Sequence, residues 1–163
     1  MAAISEGLIK RYIKQSNLIE GISDPAEILQ SLVAWRYLEG QTILSHGVIK
    51  KVQKIITLNQ TDLRPDQRGY YRDMSRYNVQ VGGHIAPSWH MVPGMMDNWL
   101  MDFRGMDAFD AHCWFERIHP FVDGNGRTGR MLMWWQQLRE DTVPTMILNK
   151  DKIEYYQLLA GSK

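Results

Sequence analysis

Over most of the chain, apolar residues return every third or fourth position, the spacing of one helix face, rather than every second. The first such stretch covers residues 5–20: Leu8, Ile9, Tyr12, Ile13 and Ile19 form the stripe, Ser5 is the N-cap, and Gly21 ends the helix. The row Ile9, Ile13, Ser16, Glu20 carries the apolar side into polar residues. Glu20 therefore meets the negative end of the helix dipole and should seek a cation. Asp24 and Pro25 supply an N-cap and a first helical position for a second helix, which bears Ile28, Leu29, Leu32, Val33 and Trp35 and closes near Gly40. Ser45 caps a third, with Val48, Val52, Ile55 and Ile56 on its apolar side, and His46 reads as a surface histidine.

Residues 61–92 break the pattern with turn formers and no sustained helical period. Residues 68–72 and 79–81 fit two strands of a short hairpin around residues 73–78. Tyr70, Tyr71, Val79 and Val81 argue against disorder, so a long ordered loop with a function is expected here. His84 and His90 read as surface or structural residues rather than metal ligands. Helical spacing resumes at Pro93, with Met95, Met96, Trp99 and Leu100 inward, and again after Gly105 through Ala108, Ala111, Phe115 and Ile118. The apolar run 131–135 is the body of a further helix, residues 142–144 a turn, and Asp151 the start of a last helix carrying Ile153, Tyr155, Tyr156, Leu158 and Leu159. The pattern predicts a mainly α fold with a short β-hairpin.

Between the last three helices, residues 119–130 read His-Pro-Phe-Val-Asp-Gly-Asn-Gly-Arg-Thr-Gly-Arg. Gly124, Asn125 and Gly126 can turn their backbone N–H groups into a concave nest, which a helix N-terminus would extend into an anion site. Arg127 and Arg130 add two guanidinium forks suited to phosphate oxygens. Asp123 amid so much positive charge makes sense if Mg²⁺ arrives with the phosphates, because Mg²⁺ takes one or two carboxylates plus phosphate oxygens. His119 stands at the edge as a base. Gly124-x-Gly126-x-x-Gly129 also matches the dinucleotide fingerprint, but that motif needs a preceding strand, and the segment before it is helical.

At 163 residues, 44% hydrophobic and 23% charged, the chain has the make-up of one soluble globular domain. A net charge of +1 argues against a general nucleic-acid binder. Cys113 is the only cysteine and reads as a small buried hydrophobe. With no signal peptide or membrane-spanning run, cytoplasmic residence is the expectation.

Residues 119–130 match the pattern H-x-F-x-D/E-G-N-G-R-x-x-R of the Fic family at every fixed position, and the chain resembles that family from about residue 8 to its C-terminus. The resemblance implies a Fic-type helical domain over residues 1–163 that transfers AMP from MgATP to a Ser, Thr or Tyr hydroxyl of a protein target. By resemblance His119 is the base, Asp123 the Mg²⁺ anchor, Gly124, Asn125, Gly126 and Arg127 the phosphate cradle, and Arg130 the γ-phosphate ligand. Ser16-x-x-x-Glu20-Gly21 resembles the family's inhibitory motif, whose glutamate pairs with the second arginine; residues 5–21 would then be an inhibitory helix acting in cis, with no separate antitoxin. Residues 68–82 correspond to the flap, whose edge (Tyr70, Tyr71, Val79, Val81) would hold a target segment by backbone hydrogen bonds. A tyrosine-rich last helix often lies near the nucleoside, so Tyr155 or Tyr156 is a candidate adenine contact, core packing being the alternative. AMP removal, phosphorylation through an inverted nucleotide pose, and a nucleotide-sensing or toxin–antitoxin module with little catalysis are the rival readings. The target protein and any homo-oligomer stay open.

Overall fold

The computed structural model describes residues 4–74, 80–81 and 84–161. The expected helices form: α1 (Glu6–Ile19), α2 (Pro25–Glu39), α3 (His46–Ile56), α4 (Val92–Asp102), α5 (Ala108–Ile118), α6 (Asn125–Arg139) and α7 (Lys152–Gly161). Side chains start the first three as the sequence suggests. Ser5 Oγ accepts from Leu8 N at 3.3 Å, Asp24 Oδ1 from Ala26 N at 2.8 Å, and Ser45 Oγ from Val48 N at 3.2 Å.

Helix α6 is the centre of the fold. Twelve of its residues are buried, from Asn125 to Leu138, as expected of a helix enclosed on several sides. The rings of Tyr12 and Trp35 pack edge-on against Trp134 at 5.3 and 6.2 Å. On the opposite flank, Trp99 stacks on Phe103 at 5.0 Å and meets Phe115 edge-on at 5.6 Å. The Tyr12 hydroxyl donates to Pro144 O (2.6 Å) and Trp134 Nε1 to Thr145 O (2.9 Å), which ties the segment after α6 back onto the bundle. Buried Asn17 and Ser31 hydrogen-bond each other and so join α1 to α2. Cys113 is buried.

Two features differ from expectation. Helix α7 carries an apolar sequence, yet of its residues only Tyr155 is buried, and Ile153 is 70% exposed. The hairpin is also built from other residues. Strand β1 (Gln80–Val81) pairs antiparallel with β2 (His84–Ile85), Gln80 opposite Ile85 and Val81 opposite His84, not with residues 68–72. The backbone of that earlier segment is already engaged: Gly69 N donates to Gln53 Oε1 (2.6 Å) and Arg72 N to Pro120 O (2.9 Å). Val79 lies outside the described residues. No helix among the described residues is long and apolar enough to cross a membrane.

Candidate active site

The sequence ends α5 sharply at His119-Pro120, since proline cannot extend a helix and disfavours the α region in the residue before it. His119 takes a left-handed conformation (φ 48°, ψ 61°), a strained state for a non-glycine residue that costs about 1–3 kcal/mol. Arg72 holds it there. Its Nε donates to His119 O (2.7 Å), and its Nη2 to Ile118 O (3.1 Å) and Pro87 O (2.6 Å). One buried guanidinium thus joins the His119 loop to the segment that leaves β2. His119 has its pKa pushed down to about 4, first by burial and then by the Arg72 charge, so the imidazole is neutral at pH 7. Its Nδ1 is sealed from solvent.

Six residues on, Asn125 clamps the loop. Its Oδ1 accepts from Phe121 N (2.8 Å) and its Nδ2 donates to Phe121 O (2.9 Å), with Phe121 fully buried. The Asn125 side chain is therefore spent on closing the loop, and the residue's backbone N–H is what it can offer an anion. Gly124 caps α6 at φ +80°, where any side chain would be strained and a Cβ would stand 3.0 Å from Thr57 Cγ2. The first-turn N–H groups of α6 have no intrahelical acceptor, and that turn holds no acidic residue. Phe121 also packs against Tyr71 (ring centroids 5.3 Å apart), whose hydroxyl bonds His46 Nδ1 (2.8 Å), while His46 Nε2 reaches Asp97 (2.8 Å). His46 is thus a structural link rather than a free surface residue. Tyr71 is part of the loop's support, whereas Tyr70 is 61% exposed.

Arg127 and Arg130 in the first half of α6 are both 1% exposed, and both meet residues of the N-terminal helices. Arg130 Nη2 donates to Glu20 Oε1 (2.6 Å) and Ser16 O (3.0 Å), Nε to Ser16 Oγ (2.8 Å), and Nη1 to the Tyr155 hydroxyl (3.2 Å). Gly21 turns the chain away after Glu20 at φ +73°. The Glu20 carboxylate lies over the nest itself, since a Cβ on Gly126 would stand only 2.3 Å from its Oε1. Arg127 Nη2 donates to Gln60 Oε1 (3.1 Å), and Nη1 stands 3.8 Å from Glu27. Arg127 Nε and Nη1 are buried without a hydrogen-bond partner among the described residues, Nη1 being ion-paired with Glu27.

Asp123 receives Gly124 N on Oδ1 (2.7 Å) and Gln60 Nε2 on Oδ2 (2.8 Å). No three His, Cys, Asp or Glu side chains among the described residues form a metal cage. A lone carboxylate beside a phosphate nest instead fits Mg²⁺ carried in by a polyphosphate. A cavity of about 180 Å³ is lined by Glu20, Glu116, His119, Asp123, the Gly124–Asn125–Gly126 turn, both arginines and Tyr156. Tyr155 is not on it. Its hydroxyl bonds His112 Nε2 (2.7 Å) as well as Arg130, so it anchors the arginine, and of the two tyrosines only Tyr156 faces the cavity. Glu116, three residues before His119, is buried with Oε1 unpartnered, and burial pushes its carboxyl up to about 7. Sequence reading passed over Gln60, Arg72 and Glu116. For Glu116 alone a signal existed, because it continues the row Ala108, His112 on the inner face of α5.

Residues 43–137 match the model of the Fic/DOC family. Proteins named "Protein adenylyltransferase Fic" from Drosophila sechellia and Drosophila melanogaster are each 30% identical over 150 residues, covering 86% of this chain and 30% of theirs. The chain thus spans about 30% of the length of these curated relatives. Among solved structures, a Fic domain containing signaling protein from Bacteroides thetaiotaomicron superposes with a TM-score of 0.78 at 21% identity, over 94% of this chain and 71% of that one. Fic-1 from C. elegans gives a TM-score of 0.78 at 18% identity, over 96% of this chain and 56% of that one.

Proposed function

The chain belongs to the Fic/DOC family, and on that premise we propose that it is a protein adenylyltransferase held in check by its own first helix. The observation that carries the reading is the joint presence, around one cavity, of a neutral histidine, a backbone nest and two buried arginines. The hydroxyl oxygen of a target Ser, Thr or Tyr attacks the α-phosphorus of ATP, the bond to the β-bridging oxygen breaks, and pyrophosphate leaves. His119 takes the hydroxyl proton, and with Nδ1 sealed the receiving atom is Nε2. A resting pKa of about 4 makes a weak base, but nearby phosphate charge raises it and brings it closer to working pH.

The nest N–H groups and the dipole of α6 hold the phosphates, and the Arg127 guanidinium adds its charge beside them. Asp123 would hold Mg²⁺, which when bound offsets charge on the α- and β-phosphates and the departing pyrophosphate. Tyr156 borders the nucleoside, and the β1–β2 hairpin receives an extended target segment. Arg130 binds the γ-phosphate once Glu20 withdraws. With Glu20 in place, both the guanidinium and the space over Gly126 are taken, so the phosphate tail cannot seat and the α-phosphate is misaligned. Such a clamp acts in cis and needs no separate antitoxin.

Transfer is tested by incubating the Glu20→Gly chain with MgATP and following pyrophosphate release and AMP-sized mass gain on the protein. Both should depend on His119, and pyrophosphate-free phosphate gain would refute the reading. AMP removal is the second reading, favoured by a cavity-facing Glu20 carboxylate that can orient water. It would show as free AMP released from a modified target.

A further inference from the structure

Beyond the motif, Asp123 is backed by the C-terminal part of α3 and the turn that follows it. Two glutamines seven residues apart, Gln53 and Gln60, both reach the same aspartate. Gln53 is fully buried and works on backbone alone: Nε2 donates to Asp123 O (3.1 Å) while Oε1 accepts from Gly69 N (2.6 Å). Gln60 is half-buried and works on side chains. Its Nε2 donates to Asp123 Oδ2 (2.8 Å) and its Oε1 accepts from Arg127 Nη2 (3.1 Å). Its own backbone is fixed, N–H to Thr57 O (3.1 Å) and carbonyl to the Arg68 guanidinium.

An amide suits this place. It presents a donor to a carboxylate and an acceptor to a guanidinium from one planar group, which neither a carboxylate nor an amine can do. Asp123 and Arg127 approach each other through that amide. With Oδ1 fixed by Gly124 N and Oδ2 by Gln60, each carboxylate oxygen keeps lone pairs pointed in a set direction. We infer that Gln60 is a positioning residue that aims the Asp123 carboxylate at the divalent cation and holds Arg127 on the phosphates, so that metal and phosphate bind as one unit. The inference deepens the proposed function and rests on it.

The test takes the Glu20→Gly chain as its parent, so that the nest is clear, and compares Gln60→Met, which keeps the shape and removes both hydrogen bonds, with Gln53→Met, which loosens the loop backbone. Direct binding of Mn²⁺ is measured by electron paramagnetic resonance on the full chain, with an ATP analogue whose α–β bridge cannot be cleaved, alongside the melting temperature. The Mg²⁺ dependence of AMP transfer is measured in parallel. Losing an outer partner of a metal ligand typically weakens metal binding about 10–100-fold. Gln60→Met should therefore raise the half-saturating Mn²⁺ at least about tenfold with little change in melting temperature, and its transfer rate should largely recover at high Mg²⁺. Gln53→Met should mainly lower the melting temperature. The inference is overturned if Gln60→Met binds Mn²⁺–nucleotide as the parent does, or loses affinity only in step with its melting temperature. Failure of the Glu20→Gly chain itself, whose nest is clear, to bind Mn²⁺–nucleotide would overturn the nucleotide reading underneath.

Discussion

Replacing Glu20 by glycine removes one carboxylate from a guanidinium with four hydrogen bonds, two to Ser16, one to Tyr155 and one to Glu20. The other three remain, so Arg130 should stay in place with its Nη2 free to reach a phosphate. A charge-assisted hydrogen bond contributes about 1.5–3 kcal/mol. If ATP must displace that bond to seat its tail, its removal should raise AMP transfer by about 10–150-fold, taking 1.4 kcal/mol per factor of ten. The space over Gly126 is cleared by the same change, which favours the upper part of that range. Glu20→Gln keeps the bulk and removes the charge, and should fall between the two. Stability should drop by no more than that bond contributes, about 1.5–3 kcal/mol, because Glu20 is 31% exposed while Arg130 is 1% exposed and keeps its other three bonds. The assay is self-modification and modification of lysate proteins with labelled ATP, run on the parent, Glu20→Gly, Arg130→Ala and the double variant. No gain in Glu20→Gly, or a gain that survives loss of Arg130, would refute the clamp.

Arg72→Met should cost several degrees of melting temperature, since carbonyls of Pro87, Ile118 and His119 lose a donor. It should also lower kcat more than it alters ATP affinity; equal losses in both would mean the arginine only stabilises the fold. The buried histidines should make the protein acid-labile. Burial holds His112 at about 3 and His119 at about 4, below their unfolded 6.5, so the stability they contribute is present above pH 6.5 and lost on acidification. Glu116, raised to about 7, acts the other way, contributing below pH 4.5 and losing that as pH rises through 7. Two groups outweigh one, so the melting temperature should fall from pH 6.5 to 4.5, and Glu116→Gln should steepen the fall; a flat profile would contradict these burial effects. Proline at Val81, opposite His84, should weaken target modification and spare ATP binding if the hairpin docks targets, and an equal loss of both would make it structural.

The helices were legible because their ends are written in local chemistry. Ser5, Asp24 and Ser45 cap as any such residue would, and Pro120 stops α5 wherever the rest of the chain goes. The site's charged members were legible too, since His119, Asp123, Arg127 and Arg130 are packed into one short stretch that the fold gathers round a single cavity. What could not be read depends on distant partners. Residues 68–72 carry two tyrosines that suit a strand, but Gln53 and Pro120 take the N–H groups of Gly69 and Arg72, and the strand pairing passes to residues 84–85. Tyr155 and Tyr156 are neighbours of one residue type, and only the docking of α7 on the bundle sends the first to Arg130 and the second to the cavity. Asn125 looks like a phosphate ligand in a list of residues, yet its amide closes a loop four residues long.

The central claim is that His119 drives transfer of the α-phosphate with its nucleoside, so the most direct measurement labels ATP separately at the α- and γ-phosphates. The Glu20→Gly chain and its His119→Ala derivative are incubated with each, and protein-bound label is counted. The account predicts protein label from α only, pyrophosphate in equal amount, and a loss of about 10²–10⁴-fold without His119 while nucleotide binding persists. Label arriving from the γ-phosphate, or α-label undiminished in His119→Ala, would contradict it.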